Sequence, residues 1–282
     1  MIGADKTRLI VCFMSDLFFT VKVEEVATRL DYQVTYIERA EQIAPNNHLA
    51  SSKQLAEPLT GPEAVLIDKL TGWQPALIII DMNIQEVPWR KWLALIKSVP
   101  ATRRIPVICF GSHMEADAMQ DAKNRGAEAV VARSRFSSAL AELIEKYARL
   151  PDYAALTATC QENLSSLAIQ GLEEFNRGEY FEAHESLEDA WNEDQSPGRE
   201  LYRAILQVAV AYLQVERQNY RGAIKMFLRV RQWISPLPDI CRGVDIARLK
   251  VDSQKVYEHL VILGPNKIAE FDRRLLRPVH YN

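Results

Sequence analysis

Five short apolar runs, each followed by an amphipathic stretch, occupy the first half of the chain, and this alternation limits the fold more than any other feature. The runs are Arg8–Phe13, Gln33–Ile37, Ala76–Ile80, Pro106–Phe110 and Ala129–Ala132. Three of them are almost wholly apolar, as strands covered on both faces of a parallel sheet must be. Between and after them, residues 17–30, 62–70, 89–98, 116–125 and 137–148 carry helical spacing. Repeated strand–helix alternation predicts a doubly wound α/β domain with right-handed crossovers. Ligands of such sheets bind beyond the carboxyl ends of the strands, so the residues just after each run are the ones to question.

The pattern stops at Pro151. Helical spacing then runs through residues 154–175, 180–193, 200–218, 220–234, 245–260 and 266–275, with no strand run among them. This predicts two domains, 1–150 α/β and 151–282 an all-α bundle of five or six helices, each of ordinary domain size. Residues 42–62, with Pro45, Asn46, Asn47, Pro58, Gly61 and Pro62, read as an irregular insert in the first domain.

Composition removes several function classes. Lys and Arg number 34 against 37 Asp and Glu, a net charge of −3, so no global basic field draws the chain to nucleic acid or a membrane surface. The longest apolar helix candidate, near Ala204–Val215, is interrupted by Gln207 and Gln214 and is too short to span a bilayer. Acid and base precede a short apolar run at the start, unlike a signal peptide. Cys12, Cys109, Cys160 and Cys241 form no CxxC pair, and the expectation is four buried thiols in a reducing cytoplasm.

The strand ends carry the chemistry of the first half. Asp81 closes the third run in LIIIDMNIQEVPW, Gly111-Ser112-His113 follows the fourth in IPVICFGSH, and Arg133 follows the fifth in NRGAEAVVARSRF. With these motifs, residues 7–149 resemble the receiver domain of bacterial response regulators. The resemblance implies a five-stranded parallel sheet in the order 2-1-3-4-5 and a phosphoryl-accepting role for the Asp81 position. It also implies an acidic pair for Mg²⁺ after the first strand, a Ser or Thr after the fourth and a Lys after the fifth. A carboxylate nucleophile forms an acyl phosphate, Mg²⁺ needs oxygen ligands, and a cation must offset the gathered charge. This sequence departs at most of these positions. Met14 and Ser15 stand where the acidic pair belongs, with Asp16 one step out of register. Gly111 takes the Ser/Thr position beside Ser112, and Arg133 takes the Lys position, where a planar fork replaces a point ammonium. The expectation is a receiver-like domain that holds no Mg²⁺ at Asp81 and takes no phosphate.

In the second half, Tyr180, His184, Leu187 and Trp191 fall on one helical stripe. His184 and Glu188 are i, i+4 neighbours able to converge on one point. With Glu185 they spell His-Glu-x-x-Glu, one letter from the HExxH of zinc peptidases, in which the intervening Glu is the general base. His184 and Glu188 are therefore candidate ligands of zinc or a similar divalent metal, with a third ligand expected from Asp245 or Glu216. The competing reading is a buried hydrogen-bonded cluster of His184 and Glu188 packed by Tyr180 and Trp191. The segments FNRGEYFEAHESLEDAW, ILQVAVAYLQVERQNYRGAIKMF and RGVDIARL resemble domain of unknown function 309, a small helical bundle of bacteria and archaea. The resemblance implies a shared H-x-x-x-E-x-x-W motif, for which metal binding has been suggested, and no particular reaction. Nine acidic residues lie between Glu173 and Asp194, and Arg217, Arg221, Lys225 and Arg229 recur every four residues. No base-stacking aromatic falls on the four-residue spacing of these cations, which argues against nucleic acid.

Three functions follow. The first is a regulatory or scaffolding protein, in which a phosphorylation-silent receiver-like domain is joined to a helical domain that binds a protein partner. The second is a metal-dependent hydrolase using His184 and Glu188 with Glu185 as base. The third is a phosphorylated response regulator working through Asp81, Asp16, Ser112 and Arg133. A homodimer is compatible with each.

Overall fold

The computed structural model describes residues 8–44 and 60–282. Most of the insert expected over 42–62 lies outside the described residues. The chain divides into two compact units, Met1–Leu150 and Pro151–Asn282.

The first unit is built on β1 (Leu9–Phe13), β2 (Gln33–Ile37), β3 (Leu77–Asp81), β4 (Val107–Gly111) and β5 (Ala129–Ala132). They form one parallel sheet in the order β2-β1-β3-β4-β5. β3 and β4 are buried at every position, which is why their sequences are continuous apolar runs. The crossovers are α1 (Leu17–Arg29), α2 (Pro62–Trp73), α3 (Trp89–Ser98) and α4 (Ala116–Asn124), and α5 (Arg133–Tyr147) follows β5. On one face of the sheet Ile10, Cys12, Ile79, Ile108 and Phe110 pack against Phe19, Val23, Phe136 and Leu140 of α1 and α5. Each such side chain contributes roughly 1.5–3 kcal/mol when fully buried. The register pairs Phe13 with Ile80, Asp81 with Phe110 and Gly111 with Ala132. The carboxyl ends of four strands therefore meet at one edge.

The second unit contains α6 (Tyr153–Thr159), α7 (Ser166–Asn176), α8 (Tyr180–Glu193), α9 (Glu200–Glu216), α10 (Tyr220–Ile234) and α11 (Ile246–Leu263). Its core includes Leu172, Phe175, Leu187, Ile205, Tyr212 and Phe227. No helix among the described residues is long and apolar enough to cross a membrane.

Three local expectations are corrected here. The helix anticipated over 154–175 is two helices, because Ser165 turns its side chain back to accept the Ala168 N–H and starts α7 afresh. The helix anticipated over 266–275 is two short 3-10 turns, broken where Asp272 caps the second. The unit is helical but not purely so, since β6 (Ile240–Cys241) and β7 (Val244–Asp245) form a small antiparallel hairpin. Its two loop residues, Arg242 and Gly243, both have positive φ, as a tight two-residue hairpin turn requires. Gly243 has a second reason to be glycine: a Cβ there would lie 2.7 Å from the Asn282 carbonyl oxygen.

The cysteines are also corrected. Cys12 and Cys109 are buried free thiols, but Cys160 and Cys241 are joined in a disulfide across 81 residues of sequence. The hairpin brings Cys241 to the end of α6, a meeting that sequence spacing does not reveal.

Candidate functional site

Asp81 ends β3 at the strand-end edge of the first unit, and its side chain is only 4% exposed. The Asn83 N–H donates to Oδ1 at 2.9 Å. Arg133, at the start of α5, donates from Nη2 to Oδ2 at 3.1 Å and more weakly to Oδ1 at 3.4 Å. The same guanidinium lies over the Phe19 ring. Burial raises the Asp81 carboxyl above the ordinary carboxylate range, and the charge of Asp16 adds to it. The Asn83 N–H and Arg133 oppose that rise without cancelling it.

The other positions expected at this edge are occupied differently. Met14 is wholly buried and belongs to the apolar cluster with Phe19 and Phe110. Asp16 is near enough for Asp81 to feel its charge, but its carboxylate caps α1 by accepting the Phe18 N–H at 3.0 Å. The Ser112 hydroxyl accepts the Met114 N–H at 3.3 Å within its own loop. At Gly111 a Cβ would fall 2.7 Å from Met82 Cε, so a larger residue there needs Met82 to move. Asn83, which sequence reasoning passed over, joins the site through its backbone and donates from Nδ2 to Glu115 at 3.1 Å. Its Oδ1 is buried without a hydrogen-bond partner, as is Arg133 Nε.

The motif helix of the second unit, α8, separates residues that the sequence placed on one stripe. Tyr180 is buried, with its ring against Phe175 and Tyr212 at 5.3 and 5.5 Å. His184 Nε2 is 3.9 Å from Glu188 Oε2, too far for a hydrogen bond, with side chains 31% and 53% exposed. The buried hydrogen-bonded cluster expected at His184 and Glu188 is therefore not formed. A partly exposed pair can be satisfied by water, which removes the need for it. Trp191 instead enters a cation–π stack: Arg199 and Arg203 lie over its ring at 4.7 and 4.5 Å, and Arg203 also faces Trp233 at 4.0 Å. Glu185 is exposed. Asp245 caps α11 by accepting the Arg248 N–H at 2.9 Å. Glu216 is close enough to Tyr180 to help raise its phenol pKa, after burial. Among the described residues, no three His, Cys, Asp or Glu side chains gather as a metal-binding group.

A heavily bonded side chain of the unit is one that sequence reasoning missed. Arg242 is 4% exposed at its side chain and donates five hydrogen bonds. Their acceptors are the Thr159 carbonyl, Asp194, Tyr202, Glu162 and Ser196, at 2.6–3.2 Å. The signal available in the sequence was only the Arg-Gly pair directly after Cys241, a pair that suits a tight turn.

Comparison with known proteins divides along the same boundary. Residues 168–226 match the family described as Domain of unknown function (DUF309). The N-terminal half is similar to solved receiver domains. One is the phosphorylated cyanobacterial phytochrome response regulator RcpA, 16% identical, covering 52% of this chain and 99% of its own, with a TM-score of 0.37. A second is the receiver domain of a sensor histidine kinase from Pseudomonas aeruginosa with a magnesium ion in its active-site cleft, 12% identical over 50% and 97%, TM-score 0.37. A third is a receiver domain from Rhodospirillum rubrum, 18% identical over 51% and 97%, TM-score 0.35. The search of curated proteins found no match.

Proposed function

We propose that this chain is a regulatory protein whose receiver-like unit works without phosphoryl transfer and whose helical unit engages a protein partner. The observation that carries the first part is the occupancy around Asp81. A phosphoryl-accepting carboxylate needs Mg²⁺ beside it, and Mg²⁺ demands several hard oxygen ligands in a tight octahedron. The residue following β1 is Met14, wholly buried, which offers a soft thioether and methylenes. Asp16, the remaining acid, is occupied as the cap of α1. The donor set does not fit the ion. Asp81 is already engaged by Arg133 and the Asn83 N–H, contacts that tie the end of β3 to α5 and to the β3–α3 loop.

In this reading the pair serves as a structural clasp that fixes one conformation of the strand-end edge. The partner role of the helical unit is supported by the exposed acidic face of α8, with Glu182, Glu185 and Asp189 in solvent. A cytoplasmic setting belongs to the same reading.

The test is incubation with acetyl phosphate and Mg²⁺ followed by intact mass measurement. The expected result is no phosphate-sized gain. A gain that disappears in Asp81→Asn overturns the proposal and supports a phosphorylated response regulator. For the helical unit, metal analysis of untagged protein prepared without chelator is expected to find no stoichiometric metal. Stoichiometric zinc lost in His184→Ala supports the hydrolase instead.

A further inference from the structure

We propose that the Cys160–Cys241 bond is a redox latch that holds α6 on the helical unit and releases it when a dithiol reductant opens the bond. α6 is a short helix that packs against the 3-10 turn Pro197–Arg199 and is tied at its C-terminal end to the β6–β7 hairpin. α6 has seven residues, below the length at which a helix holds itself in water. Within its span it buries only Leu156. Three hydrogen bonds join its end to the hairpin and all run through Arg242, the neighbour of Cys241. They are the Arg242 N–H to the Cys160 carbonyl at 2.7 Å, Nε to the Thr159 carbonyl at 3.2 Å and Nη2 to Glu162 at 2.7 Å. The disulfide lies at the same point and locks it covalently.

The position gives the latch a consequence. α6 is the first helix after Leu150, where the first unit ends, and α7 begins only at Ser166. With the bond closed, the chain between the units is anchored at Cys160, ten residues past Leu150. With it open, the free length extends to the cap of α7. At about 3.3–3.6 Å per extended residue, the added reach is of the order of 20 Å.

Access is gated by the same helix. Cys160 and Cys241 are buried, at 3% and 0% exposure, so a reductant meets the sulfurs only when α6 opens locally. Short, sparsely packed segments are the ones that open at low cost. The remaining cysteines do not compete: Cys12 and Cys109 are wholly buried on β1 and β4, and burial pushes both thiols well up, keeping them protonated and unreactive. The exchange is a two-electron step. A thiolate of the reductant attacks one sulfur to give a mixed disulfide, and its second thiol displaces the protein sulfur. The reductant leaves as a disulfide, and Cys160 and Cys241 take up the two electrons and two protons as thiols.

The inference is independent of the reading at Asp81. It is tested on the full chain, purified without reductant and alkylated under native conditions. No adducts are expected before reduction, and two are expected after dithiothreitol, on Cys160 and Cys241. Hydrogen exchange of residues 153–164 is expected to rise at least tenfold on reduction, while peptides from α8 and α9 change less than twofold. Cys241→Ser without reductant should show the same loosened α6. Free thiols at both positions in the unreduced protein overturn the latch, because the bond then does not form. Unchanged exchange over 153–164 after reduction overturns it, because the bond then holds nothing. Global exchange of the whole helical unit on reduction also overturns it, since the bond would then be a staple of the fold.

Discussion

Asp81 in the first unit and Asp194 in the second both meet an arginine, yet burial lifts the carboxyl of one while the other is held below its ordinary range. The difference lies in how completely each charge is answered. Asp81 is nearly sealed and receives one backbone N–H and one side of Arg133, whose own side chain is 38% exposed. Asp194 also suffers from burial, but it accepts the Ser196 N–H at 2.7 Å and Arg242 Nη1 at 2.7 Å, with further help from the Ser196 hydroxyl. Arg242 in turn has all its donors engaged. An Asp–Arg contact is therefore not one kind of object: partners supplied beyond the ion pair decide whether it strains the fold or holds it.

The largest effect that would separate the two sites is expected from Arg242→Met. It removes the guanidinium that Asp194 and Tyr202 share, and removal of one partner from a buried network costs about 3–5 kcal/mol. Region-resolved hydrogen exchange should show that loss in the second unit and not in the first. A loss below about 1 kcal/mol would break the comparison. Arg133→Gln should cost less, about 1–2 kcal/mol in the first unit, because Asp81 is already predisposed to take a proton once its partner goes.

Acid sharpens the contrast through its sign. For Asp81 the folded-state pKa lies above the unfolded one, so the folded form binds the proton more tightly. Its contribution to stability is complete below the unfolded value and is lost as pH rises through the folded value. Asp194 is the reverse: its contribution is present above the unfolded value and lost as pH falls through the depressed folded one. Urea midpoints of the first unit in wild type and Asp81→Asn should thus differ at pH 7, with the variant higher, and converge on acidification below the ordinary carboxylate range. The second unit should lose stability over that acid range, and Asp194→Asn should flatten the loss. The smallest effect is expected at His184→Ala. Loss of a partly exposed pair at 3.9 Å should change stability by no more than about 0.5 kcal/mol.

The two halves also differ in how far the sequence could be read. The sheet was legible because β3 and β4, covered on both faces, have no choice but unbroken apolar runs, and because Asp81 ends one of them. The departures at Met14 and Gly111 were legible for the same reason, since strand ends are fixed by the runs before them. The helical unit was legible as helices but not as a site. Helical spacing placed Tyr180, His184 and Trp191 on one stripe, and periodicity says nothing of which neighbour meets each residue along it. α9 and α10 decide that Arg203 lies over both the Trp191 and the Trp233 rings, while His184 stays partly in water.

What the sequence determined by itself was therefore what depends on local period: five strands, the change of pattern at Pro151, the four helices from Tyr180 to Leu263 and the position of Asp81. What only the tertiary structure decided was pairing across distance. The Cys160–Cys241 bond and the five acceptors around Arg242 join residues whose spacing carries no signal, and the i, i+4 spacing of His184 and Glu188 does not say that their side chains stop 3.9 Å apart. Apolar periodicity is written residue by residue because burial acts on each residue separately. A bond or a charge pair exists only where packing brings two side chains within a few ångströms, and packing is a property of the whole unit.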